Sequence, residues 1–336
     1  MLSFIRGRPI AQEVFPAVRR APVPAAAAAA AAAVVPEPEE EEEGRVLCLY
    51  TEGDTKGEDP TSDPVELLGE DFFRDLRKPN GKRLNLEELA VLIEAVGTGE
   101  MPDDSDLEQP FHEALEMYLD KGVKEVALSD GLLLPVPNFD VKRETPYIAA
   151  PSGAGKSTYA ARLCDAYRLV DPEKKIHIFS RLMSDKALDY LKPERHTIGP
   201  ELKDAKLEAA DFENSVVIFD DIDTIPDAKL AMKVQKLRDD LLETGRHENV
   251  TVISTSHQIM NYKKTRTLLN EASSVTVFPA SGSAYHIQRY LKEYAGCSPA
   301  MIKKLMALPT RWLTHVRTAP QYFLHEKGAI MADATP

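Results

Sequence analysis

Long apolar runs are missing from this sequence. No stretch of eighteen apolar residues occurs in its 336 positions, so the pattern predicts no membrane-spanning helix. Cysteine is scarce: Cys48, Cys164 and Cys297 are the only three, and no two form a C-x-x-C pair. That excludes a disulfide-stapled secreted scaffold and points to a reduced, intracellular protein. Basic charge is in deficit, with a net charge of −13, but the deficit is uneven. Residues 1–140 hold 13 basic against 30 acidic side chains, a net of −17, whereas 141–260 come to −2 and 261–336 to +6. Bulk acidity therefore does not exclude nucleic acid. The basic C-terminal part favours it only weakly, because such a segment is often a solvated face.

Residues Ala150 to Ser157 read Ala-Pro-Ser-Gly-Ala-Gly-Lys-Ser. A loop that cradles phosphate needs small residues, so that successive backbone N–H groups can turn inward. It also needs a Lys for the β- and γ-phosphates and a hydroxyl for Mg²⁺. Gly153 and Gly155 supply the freedom, with Ser152 and Ala154 between and before them; Lys156 supplies the charge and Ser157 the hydroxyl. Ala150 stands where the G-x-x-x-x-G-K-[ST] pattern has its first Gly. Tyr147–Ala149 enter the loop as a strand, and Thr158–Val170 leave it at helical spacing. The helix N-terminus, Thr158 included, then faces the phosphates of a bound ATP.

A second site follows. Ser215–Phe219 is a continuous apolar run ending in Asp220 and Asp221, a pattern suited to a parallel strand buried on both faces. Its carboxylates emerge at the strand's C-terminal edge, where α/β sheets bind ligands. Asp220 fits the Mg²⁺-coordinating Walker B role and Asp221 the polariser of the attacking water. On its own the run reads equally as a buried strand with a solvated acidic turn; after a phosphate loop the catalytic reading is favoured.

Organisation divides the chain in four. Residues 1–44 read as a disordered tail rich in Ala, Pro and Glu, with Ala25–Ala33 and Glu39–Glu43 within it. Residues 45–140 read as a small α+β module: a strand at 46–50, a helix at 86–96 capped by Asn85, a second helix at 111–119, and a hairpin about Ser129–Gly131. Residues 141–325 alternate strand and helix, which implies an α/β P-loop NTPase domain with a mostly parallel sheet covered on both faces. Residues 326–336 read as a C-terminal tail.

The strand at 250–253 is entered through Gly245-Arg246-His247-Glu248-Asn249 and left through Ser254-Thr255-Ser256-His257-Gln258. Beside the Walker B strand, that exit brings polar groups to the γ-phosphate, with Gln258, or His257, sensing it or orienting water. Arg246 lies at the opposite strand end, away from its own nucleotide. It reads either as an arginine finger acting across a subunit interface or as a cation at a helix C-terminus beside Gly245.

These segments, together with Ile178-Phe179-Ser180-Arg181, resemble the genome-packaging ATPases of poxviruses and giant DNA viruses, in the FtsK–HerA branch of P-loop ATPases. Leu308-Pro309-Thr310-Arg311-Trp312 and Ala319-Pro320-Gln321-Tyr322 are similar to giant-virus members. The resemblance spans residues 141–325. Its phosphate loop is unspecific, while G-R-H-x-N after a D-D Walker B is a sharper pairing. It implies an ATP- and Mg²⁺-dependent translocase of double-stranded DNA that fills a preformed capsid. It further implies a homo-oligomeric ring, capsid or portal-type viral proteins as partners, and a place in the virion or the host-cell cytoplasm where virions assemble. Ala150 and residues 1–140 depart from the family pattern. Three rivals stay open: a small-molecule or nucleoside kinase, a nucleotide-binding regulatory module, and a DNA pump or helicase of the same superfamily. A kinase would need an Arg-rich lid, and the intact Lys156, Ser157, Asp220 and Asp221 speak against a module without turnover.

Overall fold

Three short runs, Pro146–Ala149 (β4), Ser215–Phe219 (β7) and Thr251–Ser256 (β8), are buried at every position. Such runs can only be interior strands with a layer on each face. The structure is a computed structural model that describes residues 48–51, 63–122, 125–128, 132–138, 141–261, 265–318 and 321–332.

With Lys175–Ser180 (β5), Glu194–Thr197 (β6) and Ser274–Val277 (β9), these runs form a parallel array in the order β6-β5-β7-β8-β4-β9. Antiparallel strands extend it beyond β9: Leu313–Val316 (β10), Tyr322–His325 (β11), Gly328–Met331 (β12) and Glu125–Ala127 (β2). The sheet thus has ten strands and is mostly parallel, as the alternating pattern predicts.

Alternation along each strand divides the core in two. Val216 and Ile218 pack with Tyr159, Leu163, Cys164 and Tyr167 of the helix Lys156–Val170. Val217 and Phe219 pack on the other face with Leu230, Val234, Leu241 and Leu242 of the helix Ala228–Thr244. A third cluster, with Phe73, Leu92, Val96, Leu107 and Phe111, belongs to the N-terminal helices. Among these, the helix Leu86–Thr98 starts at the expected Asn85, in a reciprocal capping box with Glu88.

Two expectations are corrected. The strands flanking Ser129–Gly131 do not pair as a hairpin: β2 joins β12, and Leu132–Pro135 (β3) joins Cys48–Thr51 (β1) in a separate two-stranded sheet. The tail expected at 326–336 begins with β12, whose Ala329 and Ile330 are buried between β11 and β2. The β2–β12 pairing joins residues some 200 positions apart and leaves no local trace in sequence, whereas β12 also folds back on β11 as a local hairpin across Glu326–Lys327. The tail expected at 1–44 lies outside the described residues.

Candidate active site

Parallel register decides which side chains meet. Ala149 on β4 is level with Ser256 on β8, and Phe219 on β7 is level with Ser254. The phosphate loop, Asp220 and the 254–258 exit therefore leave the sheet at one edge. Gly153 and Gly155 take φ of 79° and 113°, the left-handed region that a side chain would strain. Ser152, Gly153 and Thr158 are exposed and Ala154 and Ser157 half-buried, while Ala150 is buried under the loop.

Lys156 opens the helix and is only 6% exposed. Its ammonium donates to the Ala150 carbonyl at 2.8 Å and stands 3.5 Å from Asp221 Oδ1 and 3.5 Å from His257 Nδ1. Asp220 is buried, and each carboxylate oxygen has a hydroxyl: Ser180 Oγ at 2.9 Å from Oδ2 and Thr255 Oγ1 at 3.0 Å from Oδ1. Burial, then the neighbouring Asp221 charge, raises the Asp220 carboxyl above its ordinary range. Thr255 Oγ1 is also 3.3 Å from Asp221 Oδ1 and accepts the Asp221 N–H at 2.9 Å. One hydroxyl proton is thus shared between two carboxylates. Asp221 itself has φ of 46°, a strained setting for a non-Gly residue of the kind found at functional sites.

Of the two exit residues, His257 is the one brought in: its Nε2 lies 3.2 Å from Asp221 Oδ2. Gln258 is exposed, and its carbonyl accepts the Tyr147 hydroxyl at 2.7 Å. Arg246 follows the helix Ala228–Thr244 at the far edge of the sheet and is exposed. The helix-end cation is a different residue. Arg143 donates to the Leu241 and Leu242 carbonyls at 2.7 Å each, and among the described residues no partner takes the Arg246 guanidinium.

Three residues of the candidate site lie within motif segments of the sequence, yet the pattern gives none of them a role. Ser180 and Thr255 are ordinary strand-end hydroxyls, legible only once β5, β7 and β8 are known to be neighbours. Arg311 is the third. A Cβ placed on Gly155 would stand 3.6 Å from Arg311 Nη2 and 3.5 Å from Phe278 Cε1, so this guanidinium lies against the phosphate loop. Its backbone is held by Arg311 N–H donating to Glu326 Oε2 at 2.8 Å.

No protein-family model matches the chain. It is 41% identical over 212 residues to an uncharacterized protein, V3, of Sputnik virophage, covering 62% of this chain and 85% of that protein. Among solved structures it is similar to the genome packaging NTPase B204 of Sulfolobus turreted icosahedral virus 2 in complex with AMPPCP. That match is 12% identical, covers 55% of this chain and 97% of B204, and has a TM-score of 0.37. It is also similar to the cytoplasmic domain of the type VII secretion ATPase EccC of Thermomonospora curvata, at 14% identity and a TM-score of 0.39, covering 63% of this chain and 29% of that one.

Proposed function

The chain belongs to the family of the Sputnik virophage protein V3, and we propose, on its site and motifs, that it is an ATPase that drives double-stranded DNA into a preformed viral capsid. The observation that carries the chemistry is the meeting of Lys156, Asp220 and Asp221 at one sheet edge. The packaging role rests on the motif resemblance.

The backbone N–H groups of Ser152 to Thr158 bind the phosphates, and Lys156 exchanges the Ala150 carbonyl for the β- and γ-phosphate oxygens. Two carboxylates one residue apart, one of them buried, are an arrangement that a divalent cation relieves. Ser157 and Asp220 are the residues that would hold Mg²⁺. When bound, Mg²⁺ supplies charge neutralisation across the transferred phosphoryl group. Asp221, positioned by Thr255 and His257, orients the attacking water and accepts its proton as the bond from the γ-phosphorus to ADP breaks. Gln258, exposed at the strand exit, is the alternative sensor. Arg311 adds a cation in the same subunit, and Arg246 acts on the neighbouring subunit of a homo-oligomeric ring.

Duplex DNA meets the basic C-terminal part through phosphate contacts. Arg266 and Lys303 are exposed there, whereas Lys304 is paired with Glu125. Lys263 and Lys264, basic residues of the same part, lie outside the described residues. No described helix is long and apolar enough to cross a membrane, and the protein acts in the virion or at the cytoplasmic assembly site beside capsid or portal-type proteins. The test is virion production with Lys156→Ala in place of the native chain. The reading expects assembled capsids without genome; DNA-filled particles would rule it out.

A further inference from the structure

Edge strands need pinning, and β6 is the outer edge of the ten-stranded sheet. Its residues Glu194 and His196 stand beside His177 of the neighbouring strand β5, where Glu194 is the direct cross-strand partner of His177. His177 Nδ1 is 3.2 Å from His196 Nε2 and 3.6 Å from Glu194 Oε2, and His196 Nε2 is 3.7 Å from Glu194 Oε1. Among the described residues this is the group of three His, Cys, Asp or Glu side chains whose ligand atoms all lie within 4.8 Å of one another.

The two rings stand at a separation that fits a hydrogen bond and shared coordination alike. Two imidazole nitrogens bound to one tetrahedral Zn²⁺ at 2.0–2.1 Å stand about 3.3 Å apart. The carboxylate is too far from either ring for a hydrogen bond, yet aims its oxygens at both. A proton between the rings would satisfy one pair of groups, whereas a cation at the centre satisfies all three.

The surroundings hold the donors in place. His196 is stacked on Phe179, with ring centroids 4.5 Å apart and planes 13° from parallel. His177 meets Phe212 edge-on at 5.1 Å. The His177 side chain is 6% exposed and that of Glu194 65%, so the rings are packed while the carboxylate side opens to water and gives an ion its entry. By strand alternation His177 faces away from Ser180, the residue that holds Asp220, so this group is separate from the proposed nucleotide site.

We propose that His177, Glu194 and His196 form a binding site for a zinc-class divalent cation, which clips edge strand β6 onto β5 and leaves a fourth position to water. Two imidazoles and one carboxylate are donors that suit Zn²⁺ over Mg²⁺ or Ca²⁺.

The test strips the full chain with EDTA and titrates it with Zn²⁺, then with Co²⁺ as a spectroscopic stand-in, beside His196→Gln and Glu194→Gln. These two residues are not buried, so both variants are expected to fold, which circular dichroism checks. The expected result is one Zn²⁺ per wild-type chain, the visible absorption of four- or five-coordinate Co²⁺, and a melting temperature raised by Zn²⁺. In each variant Zn²⁺ should bind at least about tenfold more weakly, a loss that even outer-shell partners of metal ligands can cause. A wild-type chain that takes up no Zn²⁺ would mean a plain imidazole pair and overturn the site. Variants that bind Zn²⁺ as tightly as wild type would place the ion elsewhere and overturn it equally.

Discussion

His257 Nε2 stands 3.2 Å from Asp221 Oδ2, while the other ring nitrogen of His257 faces Lys156 Nζ at 3.5 Å. The imidazole therefore bridges the residue expected to polarise water and the residue expected to bind phosphate. This contact bears on which exit side chain serves the chemistry.

Asp221→Asn should leave ATP bound and slow its cleavage by about a hundredfold or more, the scale of one preorganised electrostatic group. His257→Ala should lower turnover more than Gln258→Ala does, because only His257 touches Asp221. Single-turnover cleavage beside nucleotide binding measures both. A larger loss in Gln258→Ala would return the sensing role to that residue.

Arg311 should matter to the nucleotide from within its own subunit. Its guanidinium lies against Gly155, so Arg311→Ala should weaken binding of triphosphate more than of diphosphate. Arg311→Lys should recover part of the loss, since charge survives but the planar fork does not. Fluorescent-nucleotide titration reads the ratio, and an unchanged ratio would make Arg311 a surface cation.

Acid should destabilise the fold through two buried histidines. His315 is hydrogen-bonded to Tyr290 and Gln321, and burial pushes both His315 and His325 down to about 4. Between about 6.5 and 4 the unfolded chain binds protons that the folded chain refuses, so stability falls as pH falls through that window. Each group contributes on the order of 3 kcal/mol at the lower end. Urea unfolding at pH 7 and pH 5 checks the sign, and His315→Gln should flatten the dependence. Equal midpoints at the two pH values would contradict it.

What was legible in sequence is what local pattern controls. The runs at 146–149 and 215–219 are buried at every position, and their continuity announces interior parallel strands. Glycines before Lys156 announce the turn. Strands β10 to β12 leave little trace in sequence because each is four residues long, and β10 buries the polar Thr314 and His315 while β11 buries His325. Thr314 is satisfied by Tyr159 and Thr276 across the sheet, a solution that periodicity cannot show. Thr255 lies in the 254–258 strand exit, yet its shared proton depends on β8 lying against β7. The helix-end role weighed for Arg246 falls to Arg143, a hundred positions earlier, whose place at the Leu241 and Leu242 carbonyls is invisible in sequence.

Arg246→Ala alone should assemble and bind ATP yet barely hydrolyse it, since arginine fingers are worth on the order of a thousandfold or more. Mixing Arg246→Ala subunits with Lys156→Ala subunits, each inactive alone, should restore partial activity at interfaces that pair an intact finger with an intact loop. A co-assembled mixture that stays inactive would remove the finger assignment and make Arg181, whose guanidinium reaches the Thr224 carbonyl, the next to test.

The most direct measurement is the ATP hydrolysis rate of the full chain with and without duplex DNA at low salt, beside Lys156→Ala. Hydrolysis should rise with duplex of any sequence, the stimulation should fall steeply as salt is added, and Lys156→Ala should lose at least about a hundredfold of the rate. Near-normal turnover in Lys156→Ala would contradict the enzyme assignment, and a wild-type rate indifferent to duplex DNA would contradict its coupling to DNA.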